Sequence, residues 1–335
     1  DVVKKFPSIT SDLSKRQVLG FGGVAEYGIT VRWDKNFLNL VFLAMLRYAN
    51  FQPIGSIRFG GTLTIQDARR YQFDHLCLAV GAGLPKALSM PGSLAPGMRM
   101  ANEFLMSLHL LSAAKTQSLV DIGLQMPIVV IGGGLTAIDT ATEAAAYYLV
   151  LIEKVLSEFN KLSEVDKQKL QVKLGKKWRI LETYCAHAKH WQAEQRAAAR
   201  DGREPNAIAT LGLWGGVSIV YRRDMQQSPA YREFAHEIQA ALDQGIRYIE
   251  GLQPEAAVLD DTGRVKALRC QRRELQADGS WQASSDSLLL PACSVLLATG
   301  SQPNIAYEYE HRGSMQRKHN FYAAYNLCGE QLEPA

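Results

Sequence analysis

Pro127-Ile128-Val129-Val130-Ile131-Gly132-Gly133-Gly134-Leu135-Thr136-Ala137-Ile138-Asp139-Thr140-Ala141-Thr142-Glu143-Ala144 carries three local signals in succession. Four apolar residues, all β-branched, make a short buried strand. A glycine triplet turns the chain, and a helical run of small and apolar residues follows. Gly132-x-Gly134-x-x-Ala137 therefore stands between a strand and a helix, the context that makes this pattern a dinucleotide fingerprint. Gly132 permits the tight turn, Gly134 lets the backbone approach a pyrophosphate, and the small Ala137 lets the helix lie close to the strand. The helix amino terminus offers backbone N–H groups to phosphate oxygens, so Gly133 and Thr136 join the candidate binding residues.

Downstream, Val217-Ser218-Ile219-Val220-Tyr221 predicts the next strand. An NAD site calls for an acid at the end of that strand, to hold the ribose 2'-hydroxyl. Tyr221-Arg222-Arg223 stands there instead, and two guanidinium groups suit a 2'-phosphate, hence NADPH. The competing reading is a pair of solvated surface arginines facing Asp224 or Glu233. Tyr221 lies 89 positions after Gly132, against the usual interval of about 20. A charged stretch over about residues 148–214, helical in spacing and weakly amphipathic, accounts for the excess as an insertion. Removing it restores β-α-β order, with Ile131 and Tyr221 expected to end neighbouring strands.

A helix is predicted over Ala230 to Asp243 and a strand over Ile246 to Ile249. Turn signals at Asp260–Gly263 and Ala277–Gly279 then separate three segments of an antiparallel meander. Ser294 to Ala298 reads as a buried strand that ends at Thr299-Gly300. Upstream, apolar residues from Asp34 to Asn50 recur at helical spacing, Ile57 to Ile65 reads as strand and loop, and Met100 to Leu111 as a helix. His75 to Val80 reads as a strand leaving into Gly81-Ala82-Gly83, where the following prolines exclude a long helix. Gly20-x-Gly22-x-x-Ala25 matches the fingerprint only as a string, because Gly28 interrupts the helix it needs.

With 335 residues, 47% hydrophobic and 21% charged, the chain suits a globular protein of two domains. A net charge of +4 is too small to point to nucleic acid. Five cysteines form no C-x-x-C pair, which argues against a redox dithiol or a local iron-sulfur cluster and suits the cytoplasm. The apolar stretch Phe37 to Leu46 is shorter than the roughly 20 residues a membrane-spanning helix needs. His187, His190 and Glu194 fall on one helical face and could offer ligands to a metal, but one helix seldom completes a tetrahedral site, and no metal is assigned. The lysine-rich run 167–177 reads as a solvated face, with docking of an acidic electron carrier as the alternative.

Several motifs, in order, resemble a known family. Gly22-Gly23-Val24-Ala25-Glu26-Tyr27-Gly28-Ile29 is similar to a Gly-Gly-x-x-x-Tyr-Gly-Ile segment, Ala79-Val80-Gly81-Ala82 to an Ala-Thr-Gly-Ala loop, and Met90-Pro91-Gly92 to Ile-Pro-Gly. Gly132 to Asp139 is similar to the nucleotide turn, Tyr221-Arg222-Arg223 to the 2'-phosphate segment, and Ala298-Thr299-Gly300-Ser301-Gln302-Pro303-Asn304 to a closing Ala-Thr-Gly-x-x-Pro-Asn loop. Together they resemble the FAD- and NADPH-dependent oxidoreductases that include the glutamate synthase small subunit, within the pyridine nucleotide-disulfide oxidoreductase-like superfamily.

The resemblance implies an α/β fold with two dinucleotide-binding domains and hydride transfer from NADPH to FAD, with onward electron transfer to an acceptor protein, subunit or domain. It implies contacts to the cofactors from Gly23, Tyr27, Gly28, Ile29, Gly81, Pro303 and Asn304 and from the Ala298-Thr299-Gly300 backbone, with no catalytic side chain. Leu135 and the insertion depart from the family pattern, and no FAD glycine motif lies upstream of Gly20. The expectation is therefore a partial FAD domain over 1–125, an intact NADPH Rossmann-like domain over 126–300, and a return to the FAD domain or a tail over 301–335. The FAD site is expected to be incomplete, and the chain, which begins at Asp1, to be part of a larger enzyme. The rival reading is a non-catalytic NADPH-binding module.

Overall fold

The computed structural model describes residues 13–15, 38–120, 122–318, 321–326, 328 and 330–332. Along the chain come α1 (Leu38–Met45), α2 (Ile65–Arg70), β1 (Leu84–Pro85), β2 (Met98–Met100), α3 (Ala101–His109), β3 (Ile128–Ile131) and α4 (Leu135–Lys161). Next are α5 (Glu164–Leu174), α6 (Trp178–Asp201), α7 (Ala207–Leu213), β4 (Val217–Val220), α8 (Pro229–Asp243) and β5 (Arg247–Ile249). The strands β6 (Leu252–Leu259), β7 (Val265–Leu275), β8 (Trp281–Pro291), β9 (Ser294–Leu297) and β10 (Ser301–Gln302) lead to α9 (Ala306–Glu310) and two short hairpins. Two compact units result: one contains Pro85–Gly300, the other Phe42–Leu84 with Ser301–Ala335.

The first unit is built on a five-stranded parallel sheet in the order β2-β9-β3-β4-β5. Ile131 is in register with Val220 on one side and Leu297 on the other, so Ile131 ends β3 and Tyr221 directly follows the end of the neighbouring β4. From β3 the chain steps outward to β4 and β5, then returns to the other flank of β3 as β9. The order reverses between β3 and β9, and the crevice outside the carboxyl ends at such a switch point is where open α/β sheets bind ligands. Side chains alternate across this sheet. Ile128, Val130, Val217, Ile219 and Leu296 pack toward the helices, while Val129, Ile131, Val220, Val295 and Leu297 pack toward Leu252, Val265, Leu268 and Cys270 of the β6-β7-β8 meander. Burial on both faces explains why the sequence shows continuous apolar runs rather than alternation.

α4 lies against the helical face through Ala137, Ala141, Ala144 and Ala145, whose small side chains permit close approach. Its 27 residues are long and apolar enough to cross a membrane, yet 83% of its most apolar window is buried inside the protein. Glu143 is fully buried on α4, with its Oε1 3.1 Å from Nε2 of the buried His109 on α3.

Three expectations are corrected. The helix after the glycine turn does not stop near Tyr148 but runs to Lys161, because Leu149, Leu151, Ile152 and Leu156 keep a buried stripe going. Ile57 to Ile65 forms no strand. Thr64 instead caps α2, its Oγ1 accepting from Asp67 N–H while Asp67 accepts from Thr64 N–H, a capping box legible as Thr64-x-x-Asp67. His75 to Val80 is irregular and mostly exposed, and among the described residues no strand pairs with it to bury its apolar side chains.

The second unit is small. Arg58 pairs with Glu310, and Phe59 stacks on the buried His311 at 4.9 Å. The His311 ring accepts from Ile65 N–H at Nε2 (3.0 Å) and donates at Nδ1 to the Tyr307 carbonyl (2.8 Å).

Candidate nucleotide-binding site

The crevice between β3 and β9 is formed by two segments far apart in sequence. At the end of β3, a Cβ placed on Gly132 would lie 2.3 Å from the Ala298 carbonyl oxygen, so only glycine lets the turn pass beneath the end of β9. Ala298 N–H in turn donates to the Ile131 carbonyl (2.8 Å), and Gly132 N–H to the Val220 carbonyl (3.1 Å). Thr299 Oγ1 donates to the Lys86 carbonyl (2.7 Å), and Lys86 N–H donates to the Gly300 carbonyl (2.9 Å), which pins the loop after β9.

Gly133 serves differently. A Cβ there would meet the Tyr221 ring at 2.4 Å, so the ring packs directly against the glycine backbone. Burial pushes the hydroxyl of neighbouring Tyr248, whose ring centroid is 6.4 Å from that of Tyr221, up to about 12.

Gly134 is the N-cap of α4, makes no side-chain cap, and has nothing within 4 Å of where a Cβ would stand. A bare, open helix amino terminus at the crevice, with no acidic residue in its first turn, is a place for an anion. Ala137 is fully buried where α4 meets the sheet, and Thr136 is half-buried in the first turn.

Arg222 and Arg223 follow Tyr221 and are exposed. Sequence reasoning missed what holds their loop. Met225 N–H donates to Glu250 Oε1 (2.5 Å), Leu252 N–H to the Tyr221 carbonyl (3.1 Å), and Trp281 Nε1–H to Gln227 Oε1 (2.8 Å). Glu250 had one available signal, an acid directly after the next parallel strand; Trp281 comes from the remote meander and had none.

Gly132, Gly133, Gly134, Thr136, Ala137, Tyr221, Arg222, Arg223, Ala298, Thr299 and Gly300 all belong to the first unit. Gly81, Pro303 and Asn304 belong to the second. Gly81 is exposed with φ +66°, Pro303 is exposed, and Asn304 Oδ1 accepts from Ala306 N–H (3.0 Å) ahead of α9. Gly23, Tyr27, Gly28 and Ile29, with the Gly20-x-Gly22 string, lie outside the described residues.

The helix face considered for a metal is otherwise employed. The His187 ring stacks on Trp214 (4.1 Å) and hydrogen-bonds Tyr148 at 2.8 Å. Glu194 holds Arg203 and Asn206 N–H, partners that draw its carboxyl down to about 2.

A parallel sheet whose order reverses above a bare glycine turn defines a nucleotide-binding α/β protein. The chain belongs to the pyridine nucleotide-disulphide oxidoreductase family, whose model matches residues 52–324. Members of that family typically bind FAD and NAD(P)H. An uncharacterized protein of Rickettsia prowazekii (strain Madrid E) is 32% identical over 311 residues, which is 89% of this chain and 42% of that protein, so the chain spans less than half of this curated relative. FprA of Mycobacterium tuberculosis, solved in complex with NADPH, is 16% identical with a TM-score of 0.52, over 92% of this chain and 66% of that one. That likeness is one of fold.

Proposed function

We propose that the chain supplies the NADPH site of a flavoprotein oxidoreductase of the glutamate synthase small subunit type. In such an enzyme a hydride passes from NADPH to FAD and electrons go on to an acceptor protein, subunit or domain. The observation that carries the reading is the contrast between two glycines: Gly132 is closed by Ala298, whereas Gly134 faces open space at the amino end of α4. A pyrophosphate fits that cradle, held by backbone N–H groups of the first turn. Tyr221 over Gly133 would wall the adenosine end, and Arg222 with Arg223 would grip the 2'-phosphate. The role of these residues is grip and orientation, and the redox chemistry is the cofactors' own. For FAD, the resemblance would assign the backbone bordering the flavin to the Gly23 to Ile29 segment, which lies outside the described residues.

The test is a calorimetric titration of the purified chain with NADPH and NADH, with and without added FAD, while the visible spectrum is recorded. The expected result is saturable binding that prefers NADPH, and flavin absorbance that bleaches on NADPH addition when FAD is retained. Binding of neither nucleotide would overturn the reading; equal binding of both would remove the 2'-phosphate assignment.

A further inference from the structure

The two arginines assigned to the 2'-phosphate are exposed, and the segment bearing them runs outside any strand or α-helix from Tyr221 to Ser228. Ordering such a segment on binding costs conformational entropy, so its affinity for phosphate depends on what holds the backbone beforehand. Within the segment, Gln227 N–H donates to the Asp224 carbonyl (3.0 Å) and Ser228 N–H to the Met225 carbonyl (2.9 Å), closing one short turn. Two side chains from outside then hold that turn. Glu250, just after β5, accepts from Met225 N–H, and Trp281, the first residue of β8, donates its indole N–H to Gln227 Oε1. An indole nitrogen only donates, so the Gln227 amide must present its oxygen.

Trp281 is itself held. Its carbonyl accepts from Arg273 Nη2, and Arg273 Nη1 donates to Gln253 Oε1 (2.6 Å) on β6. The Arg273 backbone N–H donates to the Gly251 carbonyl (2.7 Å), next to Glu250. A continuous chain of hydrogen bonds therefore runs from the meander, through Arg273 and Trp281, to the turn that directly follows the arginines. All three meander strands contribute to it.

We infer that Trp281, acting through Gln227, is a positioning residue for recognition of the 2'-phosphate, so that the β6-β7-β8 meander sets the preference for NADPH over NADH. The inference rests on the cofactor reading above. Trp281 touches no part of the cofactor; it holds the turn next to the side chains that do. A residue that merely completes the meander would, when altered, weaken both nucleotides alike or lower stability without changing their ratio.

The experiment measures the dissociation constants of NADPH and NADH by calorimetry on the full chain, for the wild type and for Trp281→Phe, Gln227→Ala, the double variant and Arg222→Ala/Arg223→Ala. Thermal unfolding of each variant is followed in parallel. Phe keeps the ring and loses only the donor, and Gln227→Ala removes the same bond from the exposed loop. Each single variant is expected to lower the NADPH-to-NADH preference roughly threefold to tenfold, the worth of one hydrogen bond. The double variant should be no worse than either alone, since both remove one bond. Retained preference in Trp281→Phe and Gln227→Ala, or multiplying losses in the double variant, would overturn the inference and leave the arginines in place. No preference in the wild type, or preference untouched by the arginine variants, would overturn the cofactor reading and this inference with it.

Discussion

A single methyl group separates the two functions of the glycine turn. Gly132→Ala drives a Cβ against the Ala298 carbonyl, a backbone atom that cannot rotate away, and is expected to cost about 2 kcal/mol of stability, read from chemical denaturation. Gly134→Ala meets nothing in the protein and should leave stability within about 0.5 kcal/mol while weakening NADPH binding tenfold or more, because the pyrophosphate needs that space. Unchanged binding in Gly134→Ala would defeat the cradle. Arg222→Ala/Arg223→Ala should weaken NADPH several-fold to hundreds-fold, with NADH nearly unaffected. At this scale the sequence was informative where chemistry and backbone coincide: glycine spacing and the end of the next strand pointed to residues that the fold brings to one crevice. It was silent about Gln227 and Trp281, whose meeting across 54 positions no local pattern encodes.

Elements were legible where an apolar run led into a glycine turn and a helix, and misread where it stood alone. The strand before the glycine triplet and the amino end of α4 were plain, but the apolar residues of Ile57 to Ile65 and of His75 to Val80 do not by themselves declare strand pairing. The insertion posed another difficulty. Its charge suggested a decoration, whereas α6 buries Tyr184, Cys185, Ala188 and Trp191 against α4, and Tyr184 donates to the Leu124 carbonyl (2.6 Å). His187 lies in that contact among Trp214, Tyr148 and His190. Burial, then the His190 charge, push it down to about 4 from the ordinary 6.5. Between those values the unfolded chain binds more protons, so the contribution of neutral His187 is complete above pH 6.5 and lost as pH falls toward 4. Allowing for its half exposure, the loss is on the order of 1 kcal/mol. His187→Phe should flatten the acid limb of the stability-versus-pH curve by that amount; an unchanged limb would place the titration elsewhere.

Across the whole chain, the topology rather than the charge pattern decides what can be removed. Replacing residues 163–206 by a short linker would expose the outer half of α4, including Tyr148, Ile152 and Leu156, each worth roughly 1.5–3 kcal/mol when buried. Such a chain is expected to unfold at a markedly lower temperature or to precipitate, and a cooperative transition at the original temperature would show that α6 is dispensable. α5 is another matter: it contains no buried residue. A helix of 27 residues is about 40 Å long, so α5 departs from the far end of a rod whose other end meets the cofactor crevice. That distance makes α5 a natural handle. An affinity tag or fluorescent reporter spliced into it could be pulled, immobilised or watched while the glycine turn stays undisturbed.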